Sequence, residues 1–144
     1  MSDISVDKIN KSLAERFIKN NFWFCFGVAS SPEGNVECTD LVTDIENLQR
    51  KVDSGVDFLI TQLFFDNKYY FDFVDSLRKI EVDVPVIPGI MPIMNLKQIK
   101  RFIKMCGATI PHDLMVRLEE VQDDPESVCQ IGIDHAANQC RKLL

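Results

Sequence analysis

Three short apolar runs, Phe22–Ala29, Phe58–Leu63 and Val84–Ile90, are each followed by a stretch in which apolar residues recur at helical spacing. Runs of that length, rich in β-branched and aromatic residues and bounded by turn formers, read as buried strands. Their starts lie about 35 and 26 residues apart. Strands alternating with helices at that spacing form a parallel sheet, because a parallel neighbour needs a crossover where an antiparallel one needs only a hairpin. In such sheets ligands bind at the carboxyl ends of the strands. The number of runs is a second constraint. A (βα)8 barrel takes about 250 residues, or roughly 30 per unit, so three units cannot close one. The chain is therefore either a small open α/β domain or part of a barrel.

The intervening segments carry their own boundary signals. Ile9, Leu13 and Phe17 predict a helix over Val6–Asn20, and Ser30–Cys38 has loop composition. Thr39 or Asp40 is placed to cap a helix whose inner face is Leu41, Ile45, Leu48 and Val52 and which Gly55 ends. Asp66 or Asn67 begins the next helix, through about Ile80, with Tyr70, Phe73, Val74 and Leu77 inward. Pro92 and Asn95 lead into a helix over Leu96–Cys106 with Ile99, Phe102 and Ile103 inward, stopped by Gly107. Pro111 opens a short helix to about Val121, and Asp124 with Pro125 opens the last, which carries Val128, Ile131, Ala136 and Cys140.

At 144 residues and 46% hydrophobic, residues 1–144 read as one domain with a core. A net charge of −6 argues against non-specific nucleic-acid binding. Met1–Lys11 has no apolar signal core and no run reaches 18 apolar residues, so no membrane span is expected. Cys25, Cys38, Cys106, Cys129 and Cys140 are an odd set without C-x-x-C spacing, which suits buried thiols in a reducing compartment and a cytoplasmic location. His112 and His135 belong to no metal-ligand spacing, and no metal is expected. The glycine-rich phosphate loop, the dinucleotide fingerprint and the nucleophile elbow are all missing.

Three groups of polar residues stand out. Gln62 is an amide near the carboxyl end of a strand otherwise built of Phe, Leu, Ile and Thr. Such a group either hydrogen-bonds a planar heterocycle or is satisfied by backbone or solvent. Asp44, Asn47 and Lys51, beside Arg50, follow one helical face; they form either a strip that grips the sugar and phosphates of a cofactor or a solvated face. Gln98 and Phe102, four apart, present either an amide and a ring to a ligand or one surface and one core residue.

The run from Asn47 to Asp66, containing Asp53-Ser54-Gly55-Val56-Asp57 and Ile60-Thr61-Gln62-Leu63-Phe64-Phe65-Asp66, closely resembles methylenetetrahydrofolate reductase. So do Ile87-Pro88-Gly89-Ile90-Met91-Pro92-Ile93 and the following Lys97-Gln98, and Ser31-Pro32-Glu33-Gly34-Asn35 is similar to the family's Tyr-Pro-Glu-Gly-His. The resemblance runs from about Asn20 to the end. It implies a (βα)8 barrel with non-covalent FAD at the carboxyl ends of its strands. The implied reaction reduces 5,10-methylenetetrahydrofolate to 5-methyltetrahydrofolate with NADH or NADPH, in the one-carbon metabolism that leads to methionine. By position, Ala29, Asp44, Asn47, Arg50 and Lys51 match flavin-contacting residues, Gln62 matches the glutamine that hydrogen-bonds the pterin ring, and Gln98 and Phe102 match substrate-side positions.

Two features depart from the family. Ser31 stands for a flavin-contacting tyrosine and Asn35 for a histidine, so an aromatic contact and an imidazole are lost. The chain also aligns with only strands five, six and seven. The first four strands and the eighth fall outside it, and with them the family's general-acid glutamate and flavin-tuning aspartate, so no catalytic residue is assigned. The expected protein is a partial (βα)8 TIM barrel of about three parallel strands, a flavin oxidoreductase by family and incomplete alone. The alternative is a non-catalytic fragment that pairs with a full-length reductase or with itself, as a homo-oligomer or with a complementing barrel fragment. A flavodoxin-like domain binding a phosphate ligand is a third reading, against which the missing glycine-rich loop weighs.

Overall fold

Helix starts follow from side chains that satisfy the free N–H groups of a first turn. The computed structural model describes residues 25–34 and 40–144. Asp40 lies in extended backbone, and its carboxylate accepts the Thr43 N–H and the Thr43 hydroxyl, both at 2.8 Å, opening α1 (Leu41–Asp53). Asp66, Asn95 and Asp124 likewise accept from Lys68, Gln98 and Glu126 to open α2 (Asn67–Lys79), α3 (Leu96–Cys106) and α5 (Pro125–Leu143). Gly55, at φ 102, follows the end of α1, and Gly107, at φ 73, closes α3. In α4 (His112–Glu120) Pro111 sits one position before the helix, its ψ of 141 still extended, with no side-chain cap. The helix expected over Val6–Asn20 lies outside the described residues.

The strands are β1 (Gly27–Ser30), β2 (Phe58–Leu63) and β3 (Val86–Gly89). The third is shorter than its apolar run, and the part of the first run before Cys25 lies outside the described residues. The carbonyls of Phe26 and Pro85, next to β1 and β3, accept the N–H groups of Asp57 and Leu59 at 2.8 Å each, and the Phe26 N–H donates to the Asp57 carboxylate at 2.7 Å. All pairs are parallel, and the spatial order β1-β2-β3 repeats the order in sequence. The packed helices lie on one face. Leu59 is buried with Leu48 of α1, Phe73 and Leu77 of α2 and Val82. Leu63 and Phe65 are buried with Ile93, Leu96, Ile99, Leu114, Leu118 and Val128. Unreversed strand order with helices on a single face is the arrangement of consecutive units of a (βα)8 barrel; a flavodoxin-like sheet reverses its order and carries helices on both faces. Residues 25–34 and 40–144 thus form an open α/β sheet of barrel type.

The expectation of fully buried strands is corrected. Along β2, Leu59, Thr61 and Leu63 are buried, whereas Ile60 and Gln62 are exposed. Ala29, Ile60 and Ile87 stand side by side in register on the uncovered face, with Ile60 44% and Ile87 46% exposed. The buried-thiol expectation also fails. Cys25 precedes β1 and is exposed, Cys140 is on the outer side of α5, and Cys106 and Cys129 are half-buried. Cys38 lies outside the described residues.

Candidate functional site

The carboxyl end of β1 and the Asp44–Lys51 stretch of α1 enclose a small cleft of about 40 Å³, open to solvent. It is lined by Ala29, Ser30 and Ser31 from the strand and its turn, by Asp44, Ile45, Leu48 and Lys51 from α1, and by Phe73 of α2. The helix accounts for the polar lining. Asp44 and Lys51 are seven residues apart, two turns on one face. Leu48 between them is buried against the sheet, so the carboxylate and the ammonium flank an apolar floor. A carboxylate suits sugar hydroxyls and an ammonium suits phosphate.

Of the cofactor candidates, Ala29, Asp44 and Lys51 come together here. Asn47 is half-buried on the same helix and Arg50 is exposed, and neither lines the cleft. Ser31 lines it where the resemblance puts a tyrosine, and Asn35 lies outside the described residues. Sequence reasoning missed Ser30 and Phe73. The position of Ser30 at a strand terminus was a usable signal; Phe73 read only as core.

The carboxyl end of β2 is irregular. Leu59 pairs with Val86 and Ile60 with Ile87, but Leu63 pairs with Gly89, so two residues, Thr61 and Gln62, stand opposite Pro88 alone. Pro88 has no N–H for the ladder, and bulges fall where pairing is interrupted. The Thr61 hydroxyl accepts the Gly89 N–H at 2.8 Å. Gly89 must be glycine, since a Cβ there would lie 2.3 Å from the Thr61 carbonyl oxygen. Gln62 is therefore not the buried amide that its apolar neighbours suggest. It stands on the uncovered face, its Oε1 accepting the Leu63 N–H at 3.0 Å. With that oxygen engaged, the amide NH2 is left to donate, and it has no partner among the described residues.

The segment after Gln62 is tied down by α5. His135 Nε2 bonds the Phe65 carbonyl at 2.8 Å, and Gln139 Nε2 donates to the Phe64 carbonyl at 3.1 Å. Asn67 Nδ2 donates to the Gln139 carbonyl at 3.0 Å. Their spacing of four along α5 was the available signal; sequence reasoning weighed His135 only as a metal ligand and passed over Gln139. Gln98 and Phe102 lie one turn apart on α3 and are both exposed. Phe102, 40% exposed, is not the core residue the apolar stripe implies; Leu96 and Ile99 take that role. Among the described residues no three His, Cys, Asp or Glu side chains gather to hold a metal ion, and no helix is long and apolar enough to cross a membrane.

Parallel βα units in unreversed order, with helices on one face, define an α/β protein of barrel type. Residues 7–144 match the family model described as methylenetetrahydrofolate reductase, and the chain belongs to that family. It is 38% identical over 131 residues to methylenetetrahydrofolate reductase 1 of Schizosaccharomyces pombe, covering 90% of this chain and 22% of that protein. It is 37% identical over 120 residues to the 5,10-methylenetetrahydrofolate reductase of Salmonella typhimurium, covering 83% of this chain and 40% of that protein. The chain thus spans well under half the length of these relatives. Among solved structures, an uncharacterised Clostridium thermocellum protein that binds two copies of 5-methyl-5,6,7,8-tetrahydrofolic acid aligns with a TM-score of 0.56. It is 17% identical and aligned over 96% of this chain and 49% of that one, a likeness of fold.

Proposed function

We propose that this chain is the later part of a methylenetetrahydrofolate reductase barrel and contributes the binding side of its site in a cytoplasmic enzyme. The substrate is 5,10-methylenetetrahydrofolate, reduced to 5-methyltetrahydrofolate at the expense of NADH or NADPH. Bound FAD supplies the hydride relay between the nicotinamide and the folate. The observation that carries this reading is the cleft where Ala29, Asp44 and Lys51 meet at the end of β1, in a chain matched to this family over residues 7–144. Asp44 would accept from sugar hydroxyls and Lys51 would face phosphate, with Asn47 and Arg50 extending the polar face. Gln62 would donate its free NH2 to an acceptor on the pterin ring, and Gln98 and Phe102 would meet the folate from α3. A general acid belongs to the remainder of the barrel.

A second reading has its own observation. The uncovered face bearing Ile60 and Ile87 is unusual for a parallel sheet, which is normally covered on both sides. It fits a fragment that pairs with a reductase or with itself without turning over. Titration with FAD, followed by quenching of flavin fluorescence and by the visible spectrum of the protein after gel filtration, separates the two. Saturable binding that weakens about tenfold in Lys51→Ala supports the cofactor site; a colourless protein that leaves FAD fluorescence unchanged overturns it.

A further inference from the structure

We infer that Glu33 couples the two halves of this site, tying the turn beside the β1–α1 cleft to the chain packed at the carboxyl end of β2. The inference rests on the ligand assignment proposed above. The turn is well defined: the Gly34 N–H donates to the Ser31 carbonyl at 3.0 Å, Pro32 holds the second position, and Gly34 adopts φ 91. This projects Glu33 across the sheet end, where its Oε1 and Oε2 accept the Thr109 N–H at 3.0 and 3.1 Å, over 76 residues of sequence. Both ends of the contact are anchored. Ser31, two residues before Glu33, lines the cleft. Thr109 lies between Ala108 and Ile110, both buried in the cluster that holds Leu63 and Phe65, the residues just beyond Gln62. It also lies just beyond α3, which carries Gln98 and Phe102. Because β2 is the middle strand, the contact bridges the loops on either side of it.

A carboxylate accepting a main-chain N–H forms a stronger bond than a neutral pair. A ligand that orders the turn at Ser31 therefore also orders the Thr109 segment and the β2 end, and coupling between two binding events is reciprocal. Glu33 is a positioning residue in this scheme and touches neither ligand.

The test measures affinity for FAD and for 5-methyltetrahydrofolate, each alone and in the presence of the other, in the wild-type protein, Glu33→Ala and Glu33→Gln. The coupling factor is expected to fall at least ~5-fold in Glu33→Ala while each affinity measured alone stays within ~2-fold. Glu33→Gln, whose amide oxygen still accepts the Thr109 N–H, recovers most of it. An unchanged coupling factor in Glu33→Ala overturns the inference, as does a parallel loss of stability and of both single affinities with coupling intact. Hydrogen exchange at the Thr109 amide of the wild-type protein covers the case in which Glu33→Ala does not fold: slower exchange on adding FAD supports coupling, and no change overturns it. A wild-type protein that binds neither ligand overturns the site reading instead, and slow Thr109 exchange would then still report the Glu33 contact itself.

Discussion

Thr61 and Gln62 are neighbours on β2 with opposite surroundings. Thr61 is 5% exposed on the helix-covered face, where its hydroxyl replaces a missing ladder partner for Gly89; Gln62 faces outward. Thr61→Val should leave the Gly89 N–H unpaired and lower stability by about 1–3 kcal/mol in urea unfolding. Gln62→Ala removes the acceptor of the part-buried Leu63 N–H and should cost about 0.5–1.5 kcal/mol, while weakening 5-methyltetrahydrofolate binding about tenfold, as loss of a ligand hydrogen bond does. The reverse pattern would refute both roles. Ser31 offers a gain of function. Ser31→Tyr adds an aromatic contact worth about 0.5–1.5 kcal/mol at the cleft wall and should tighten FAD binding severalfold in a fluorescence titration. These contrasts were only partly legible in sequence. Gln62 was conspicuous, but Leu59 and Leu63 on one face of β2 look like Phe58 and Ile60 on the other, and nothing local says which face is covered. Phe102 misled for the same reason, since it adjoins the Ile99 stripe without joining the core.

At the scale of elements, boundaries were legible because capping is local chemistry: Asp40, Asp66, Asn95 and Asp124 mark the helix starts, and Gly55 and Gly107 the ends. Packing between elements was not, because it depends on approach distances. Gly132 shows this. A Cβ there would lie 2.0 Å from the Ile93 carbonyl oxygen, so α5 can seat against that segment only with glycine at the crossing. Gly132→Ala should cost about 1–3 kcal/mol or more by overpacking, seen as a lower urea midpoint. The caps also set an acid response. The Thr43 backbone N–H, then its hydroxyl, hold Asp40 below its ordinary pKa; the Ser127 hydroxyl, then its backbone N–H, do so for Asp124. Both groups bind protons more weakly folded than unfolded. Their contribution is therefore complete above the unfolded carboxylate pKa of about 3.9 and is lost as pH falls through the lower folded values. Asp40→Asn, which keeps an acceptor but not the titration, should flatten the acid limb of helicity measured by circular dichroism. An acid limb identical to wild type would show that the Asp40 cap does not contribute.

For the whole molecule, the sheet carries its helices on one side and exposes Ile60 and Ile87 on the other, with β1 and β3 as its edges among the described residues. Unpaired edges and an apolar face are liabilities in isolation and become an interior when a barrel closes. The number of strands and their direction were legible from the spacing of the apolar runs. The one-sided cover was not, since it depends on strands that three units do not supply. The central claim is that these units hold the binding residues of a reductase site whose closure needs complementary strands. It is tested most directly by mixing this chain with a second chain carrying the first four strands and the eighth of the family barrel, and measuring NAD(P)H-dependent reduction of 5,10-methylenetetrahydrofolate in the presence of FAD. Turnover by the mixture, with none from either chain alone, is the predicted result; turnover by this chain alone, or a mixture that neither associates nor reacts, would contradict it.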